Sequence, residues 1–246
     1  MSARANRFLA SLGEDIELIR PHLRETVLLP GQVLWEPGDT VSTVFFLDEG
    51  AISKLTVFAD GTEIECALIG RDGAVGATSA IGLKTAITRD VCLLKARASC
   101  IETGALEQAA QISERVHHAL DDYCAWKMRY IIRNGACNAL HSVEQRLCRW
   151  LLTCTDVLER QQIDVTQDIF AKMLGVQRTS VNATLRRLQA DGLIRIGRGR
   201  LILAAPSALI DRACRCYCAL RMADVVHPQT WTGPVPVAGR VMSPPE

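Results

Sequence analysis

No stretch of this 246-residue chain approaches the ~18 consecutive apolar residues that a membrane-spanning helix needs. The opening residues, "MSARANRFLASLGED", lack both an apolar signal core and a cleavage pattern. The expectation is therefore a soluble cytoplasmic protein with no membrane partner. No two of the ten cysteines stand in CxxC spacing, which removes the zinc-ribbon and thioredoxin signatures. Residues 26–102 contain no histidine, so the His/Glu cluster of a metal-dependent cupin has no histidine ligands there. No G-x-S-x-G or comparable nucleophile signature occurs, and no enzymatic activity is expected. From Leu106 to Ile132 there is neither proline nor glycine, which leaves one long helix unbroken.

What is present divides the chain. Nearly half the residues are apolar (48%), enough for a real core, and the length suits two domains or one domain with a long extension. Net charge is +1, but residues 1–140 carry −4 and residues 141–222 carry +6. A basic C-terminal portion on a near-neutral chain points to a polyanion partner. The cysteines lie mostly in apolar stretches and read as small buried hydrophobes of a reducing compartment.

Residues 1–25 place Phe8, Leu9, Leu12, Ile16 and Ile19 at helical spacing. From 26 to 102 short alternating runs are punctuated by Pro30-Gly31, Pro37-Gly38, Asp48-Glu49-Gly50 and Asp60-Gly61. Six to eight short strands at this spacing predict a sandwich or barrel. The following helix would be about 40 Å long, too long for one small barrel to cover. Val116, Ala119, Tyr123, Trp126 and Tyr130 fall three or four apart along it, and they are expected to form a dimer seam beside a second apolar line of Leu120, Cys124 and Ile131. Asn134-Gly135 is expected to end the helix. Ser142 with Gln145 offers a capping box for the next one. The predicted division is 1–105 for sensing, 106–138 for the dimer helix and hinge, 139–222 for DNA binding, and a disordered Pro-rich tail over 223–246, which holds five of nine prolines.

"AKMLGVQRTSVNATLRRLQADGLI" reads as a helix-turn-helix. Ala171 is small where a second helix crosses, Gly175 permits the tight turn, and Val176, Val181, Leu185 and Leu188 bury the second helix. Thr166 is expected to cap the first helix, with Val165 and Phe170 as a hydrophobic staple. Arg178 suits a guanine edge, with Thr179, Asn182 and Arg186 on or beside the groove face. Ser180 and Arg187 suit phosphate. In "GLIRIGRGRLIL" two strands flank Gly197-Arg198-Gly199, making a wing on which Arg195, Arg198 and Arg200 can grip the backbone.

The order of short-stranded barrel, long helix, hinge and winged helix resembles the Crp/Fnr family of bacterial transcription regulators over roughly residues 6–220. The carrying segments are "LLPGQVLWEPGD", "VFFLDEGAISKLTVFADGTEIECALIGRDGAVG", the long helix, and the helix-turn-helix with its wing. The resemblance implies an α+β chain: an N-terminal cyclic-nucleotide-binding-type barrel (jelly roll), a long dimerisation helix and a C-terminal winged helix-turn-helix. It implies a homodimer on a near-palindromic operator, a signal sensed at the barrel, and RNA polymerase as a partner. Arg178 matches the family's common guanine-reading arginine. Thr179 stands where many members carry Glu and Ala183 where many carry Arg, which implies a different operator. Gln177 replaces a usual Ser, a weaker cap.

The effector pocket would be built from Gly70, Arg71, Asp72, Gly73 and Arg89. Cyclic-AMP-binding relatives have Glu where Arg71 stands, and Asp90 beside Arg89 would repel a phosphate. The sequence thus argues against a cyclic nucleotide. It argues against an iron–sulfur cluster of the family's N-terminal kind because the first cysteine is Cys66. It gives His22, Cys66, His117 and His118 as the available haem ligands, none placed convincingly. No cofactor and no metal are expected. Cys214, Cys216 and Cys218 alternate near the end, with Cys214 and Cys218 on one face of a single final helix and a redox or metal switch the alternative to packing. The rival functions are a cupin-type metalloenzyme and a signal-binding module acting through protein contacts.

Overall fold

The computed structural model describes residues 6–225, without the side chains of 167, 168 and 221–225. A first helix, α1 (Arg7–Ser11), and two short 3-10 turns bury Phe8, Leu9, Leu12, Ile16 and Ile19 as their spacing predicts. The strands follow: β1 (Arg24–Leu28), β2 (Val33–Trp35), β3 (Thr43–Val57), β4 (Glu63–Ile69), β5 (Ala74–Val75) and β6 (Arg89–Glu102). All pair antiparallel, in the order β1-β6-β3-β4, with β2 also on β6 and β5 also on β3. This sheet is rolled but open, so the expected barrel is not closed by strand pairing.

Two strands are long because the expected turn at Gly50 is a bulge. Gly50, at φ 86°, sits where the β3–β6 register shifts between Leu47 and Ile52, and a Cβ there would strike the Lys95 carbonyl and Ala96. The extra residues change the parity of the strand. Before the bulge Val44 and Phe46 face Phe8 of α1 together with Leu106, Val116 and Leu120, while Leu47 faces the inside of the roll. After it Ile52 faces inside and Ala51 and Leu55 face out. Asp60-Gly61 does make the predicted hairpin, with Gly61 at φ 82° and Asp60 accepting from the Thr62 N–H.

The long helix is two. α2 (Thr103–Ile112) stops at Ser113, whose backbone is extended and whose hydroxyl caps α3 (Glu114–Leu140) by accepting from the Val116 N–H. Asn134-Gly135 does not end α3. Asn134 is buried and its Nδ2 donates to the carbonyls of Glu65 and Cys66, so tertiary contacts outweigh the ~1 kcal/mol that a helical glycine costs.

α4 (Val143–Leu158) begins at the predicted Ser142–Gln145 capping box. β7 (Gln162–Ile163), α5 (Gln167–Leu174), α6 (Arg178–Ala190), β8 (Ile194–Gly197) and β9 (Arg200–Leu203) complete a winged helix with strand order β7-β9-β8. The expected single final helix is broken into α7 (Pro206–Arg212) and α8 (Cys216–Val225). Of the tail expected over 223–246, residues 223–225 end α8 and the rest lies outside the described residues.

Candidate nucleic-acid interface

α5 and α6 are held at their turn by Gly175, which adopts φ 60°. Thr166 occupies the α5 N-cap, but its hydroxyl makes no capping bond, contrary to expectation; Val165 and Phe170 are buried together as the staple predicts. Val181, Leu185 and Leu188 seat α6 against α5 and α4. That seating turns Arg178, Thr179, Ala183 and Arg186 to solvent, with Asn182 half-buried at their flank and Ser180 exposed on the other side. Gln177 is the N-cap and makes no side-chain cap bond. In the wing, Arg198 and Gly199 form the tip with Gly199 at φ 69°, and Arg195, Arg198 and Arg200 are exposed. From 177 to 200 there are six arginines against one acid, Asp191.

One phosphate candidate, Arg187, is engaged by a carboxylate of its own chain. Arg187 turns back to Glu144 of α4 at 3.1 Å, and Glu144 also receives Arg212 at 2.9 Å. Its charge is answered within the protein.

The winged helix rests on the sheet, with β4 at the centre of the contact. The alternating residues Glu63, Glu65 and Ala67 of β4 meet in turn α5, α4, and the pair α3 and α8. Glu63 accepts from Lys172 of α5 at 2.8 Å and pairs with Arg89. Burial opposes ionisation of Glu63, but Lys172 and Arg89 hold its carboxyl below the usual range. Glu65 is wholly buried and accepts from Ser53 at 2.6 Å and from the Trp150 indole at 2.7 Å, yet burial pushes its carboxyl up. Ala67 packs on Tyr130 of α3 and Leu220 of α8. Arg149 of α4 donates to Asn134 at 2.6 Å, and Arg146 donates to the Leu174 carbonyl at 3.0 Å, closing the end of α5. Ala51, Leu55, Leu68, Leu93 and Leu94 of the sheet share one core with Leu151, Phe170 and Met173. Nothing in the spacing of the sequence signals these partners.

The expected effector pocket is not assembled. Gly70, Arg71, Asp72 and Gly73 form a turn after β4: the Gly73 N–H donates to the Gly70 carbonyl, and Asp72 accepts from the Gly70 N–H. Arg71 pairs with Glu159, the residue just past the end of α4. Arg89 lies at the opposite end of β4, beside Glu63 and Glu36. About 20 Å of strand separates the two groups, and both arginines already face carboxylates.

The expected dimer seam is turned the wrong way. Val116, Ala119 and Tyr123 pack on the chain's own α1 and sheet, Tyr130 packs on Ala67, and Trp126 is half-buried between the rings of Tyr123 and Tyr130. The exposed apolar line is Ala125, Met128, Ile132, Gly135 and Ala139, spaced alternately three and four apart.

A winged helix with an outward arginine-bearing helix, mounted on a rolled antiparallel sheet, defines the class: a DNA-binding transcription regulator. Residues 145–212 match the Crp-like helix-turn-helix domain, and about three-quarters of the chain is similar in fold to solved Crp/Fnr-family regulators. FixK2 of Bradyrhizobium japonicum is similar at TM-score 0.68 and 15% identity, over 78% of this chain and 98% of that one. The c-di-GMP-responsive global regulator CLP of Xanthomonas campestris is similar at TM-score 0.64 and 21% identity, over 77% and 97%. A CRP-family transcriptional regulator of Thermus thermophilus, TTHB099, is similar at TM-score 0.65 and 21% identity, over 76% and 96%. A comparison of the sequence with curated proteins finds no match.

Proposed function

We propose that this chain is a homodimeric transcription regulator that reads a near-palindromic operator with paired α6 helices, its affinity set by a signal acting through the sheet. The observation that carries the reading is the outward face of α6, with Arg178, Thr179, Asn182 and Arg186 beside an arginine-bearing wing. Two such helices would enter successive major grooves about 34 Å apart. The line of Ala125, Met128, Ile132, Gly135 and Ala139 is the face on α3 available for a second copy, at heptad-like spacing. Residues 1–105 sense, 106–138 join the dimer and 139–222 read DNA in this scheme. The polar contacts along β4 are where a signal would loosen or tighten the winged helix. Function is regulatory rather than enzymatic, with RNA polymerase as the further partner, in the cytoplasm; no described helix is long and apolar enough to cross a membrane. Selection of bound sequences from a random DNA pool tests this. A two-fold symmetric consensus is expected, and no enrichment over the starting pool would overturn the reading.

A further inference from the structure

Four side chains meet where the end of α3 approaches the start of α8. Cys137 and His141 are one helical turn apart at the end of α3, and Cys214 and Cys216 follow α7. Their ligand atoms all lie within 4.8 Å of one another. The Cys137 and Cys214 sulfurs are 3.4 Å apart, and the Cys216 sulfur is 3.8 Å from Nδ1 of His141. A tetrahedral zinc with Zn–S bonds of about 2.3 Å sets its ligand atoms about 3.7 Å apart. The three cysteines are buried, and His141 is half-buried at the rim.

We propose that Cys137, His141, Cys214 and Cys216 form a structural zinc(II) site that clamps the C-terminal helix to the end of α3. The donor set is soft, four-membered and closed, the pattern of structural rather than catalytic zinc. A disulfide between Cys137 and Cys214 would use two of the four donors and leave Cys216 and His141 without a role. A polynuclear iron–sulfur cluster puts several atoms between its thiolates and needs them further apart. Binding one zinc ion displaces the three thiol protons and leaves three thiolates, a neutral imidazole and a net charge of −1. Arg146 and Arg149, on the adjacent α4, act electrostatically on Cys137, and their buried Nε atoms have no hydrogen-bond partner among the described residues. They supply the compensating charge. The spacing Cys-x3-His with Cys-x-Cys escapes a search for CxxC, and only the fold brings the two halves together. Cys218, exposed and outside the cluster, is an internal control.

The inference goes beyond the DNA-binding reading and is tested without DNA. The full chain, purified under reducing conditions, is measured by elemental analysis and native mass spectrometry, then exchanged with cobalt(II). The expected results are one zinc per chain and the visible bands of tetrahedral, thiolate-rich cobalt. Cys137→Ser and Cys214→Ser should lose the metal, His141→Ala should weaken it at least about tenfold, and Cys218→Ser should keep it. Sub-stoichiometric zinc after loading and dialysis, or metal retained by Cys137→Ser, would overturn the site. The cobalt spectrum of the unmutated chain decides even where a cysteine variant does not fold: octahedral bands without thiolate character rule the site out.

Discussion

The indole N–H of Trp150 donates to the carboxyl of Glu65 across 2.7 Å, and that bond joins the winged helix to the sheet in a wholly buried place. Burial favours the neutral acid, so the folded pKa of Glu65 lies above its unfolded value. Stability from this group is fully present below the ordinary carboxylate range and drains away as pH rises through the folded value. Glu65→Gln stays neutral at every pH. Thermal unfolding from about pH 5 to pH 8 should show the unmutated chain falling relative to the variant, with the gap narrowing toward acid. Parallel curves would show that Glu65 does not titrate against folding.

Arg178 opens α6 on its solvent side. Arg178→Ala should cost about 1–3 kcal/mol of specific binding and relax one base position. Fluorescence anisotropy on the selected operator and on scrambled DNA checks both parts. Equal affinity for the two DNAs before and after mutation would remove Arg178 from base reading.

Two of the arginines expected to grip phosphate should now separate. Arg198 is exposed at the wing tip, whereas Arg187 is engaged by Glu144. Arg198→Ala should flatten the slope of log affinity against log salt by about one unit, and Arg187→Ala should leave it nearly unchanged. The reverse ordering would place the phosphate contact on α6.

How much of this is legible in the sequence follows the range of the interactions. The helix-turn-helix is readable because its signals are local: Ala171, Gly175, Val181 and the Ser142–Gln145 box lie within a few residues of what they contact. The break at Ser113 has a local signal too, a capping serine before Glu114, masked by the absence of proline and glycine. The outward apolar face is not legible because α3 carries apolar lines on opposite faces, Val116 to Tyr130 and Ala125 to Ala139, about 180° apart, and periodicity does not say which one the chain's own sheet will cover. The contacts of Glu63 and Glu65 with Lys172 and Trp150 span 85 residues or more, beyond any spacing rule.

Ile132 and Met128 stand out on α3 with about two-thirds of their surface exposed, 65% and 63%. If that line is the two-fold seam, Ile132→Asp places like charges against each other and removes apolar burial at once. Light scattering coupled to gel filtration should move from the dimer mass to the monomer mass at micromolar concentrations. An unchanged dimer would put the seam elsewhere.

Gly175 answers two demands with one residue. Its φ of 60° lies in the left-handed region, and a Cβ there would come within 2.7 Å of the Ile64 side chain on β4. An alanine therefore meets about 1–2 kcal/mol of backbone strain and, separately, a clash between the winged helix and the sheet. Ile64→Ala removes the clash without touching the strain. In chemical denaturation, Gly175→Ala should destabilise by more than the backbone term alone. In the double variant its cost should shrink to about that term, a coupling visible in a double-mutant cycle. If the two substitutions add without coupling, the turn of the helix-turn-helix does not press on β4, and the sheet has lost its most direct mechanical route to the DNA-reading helix.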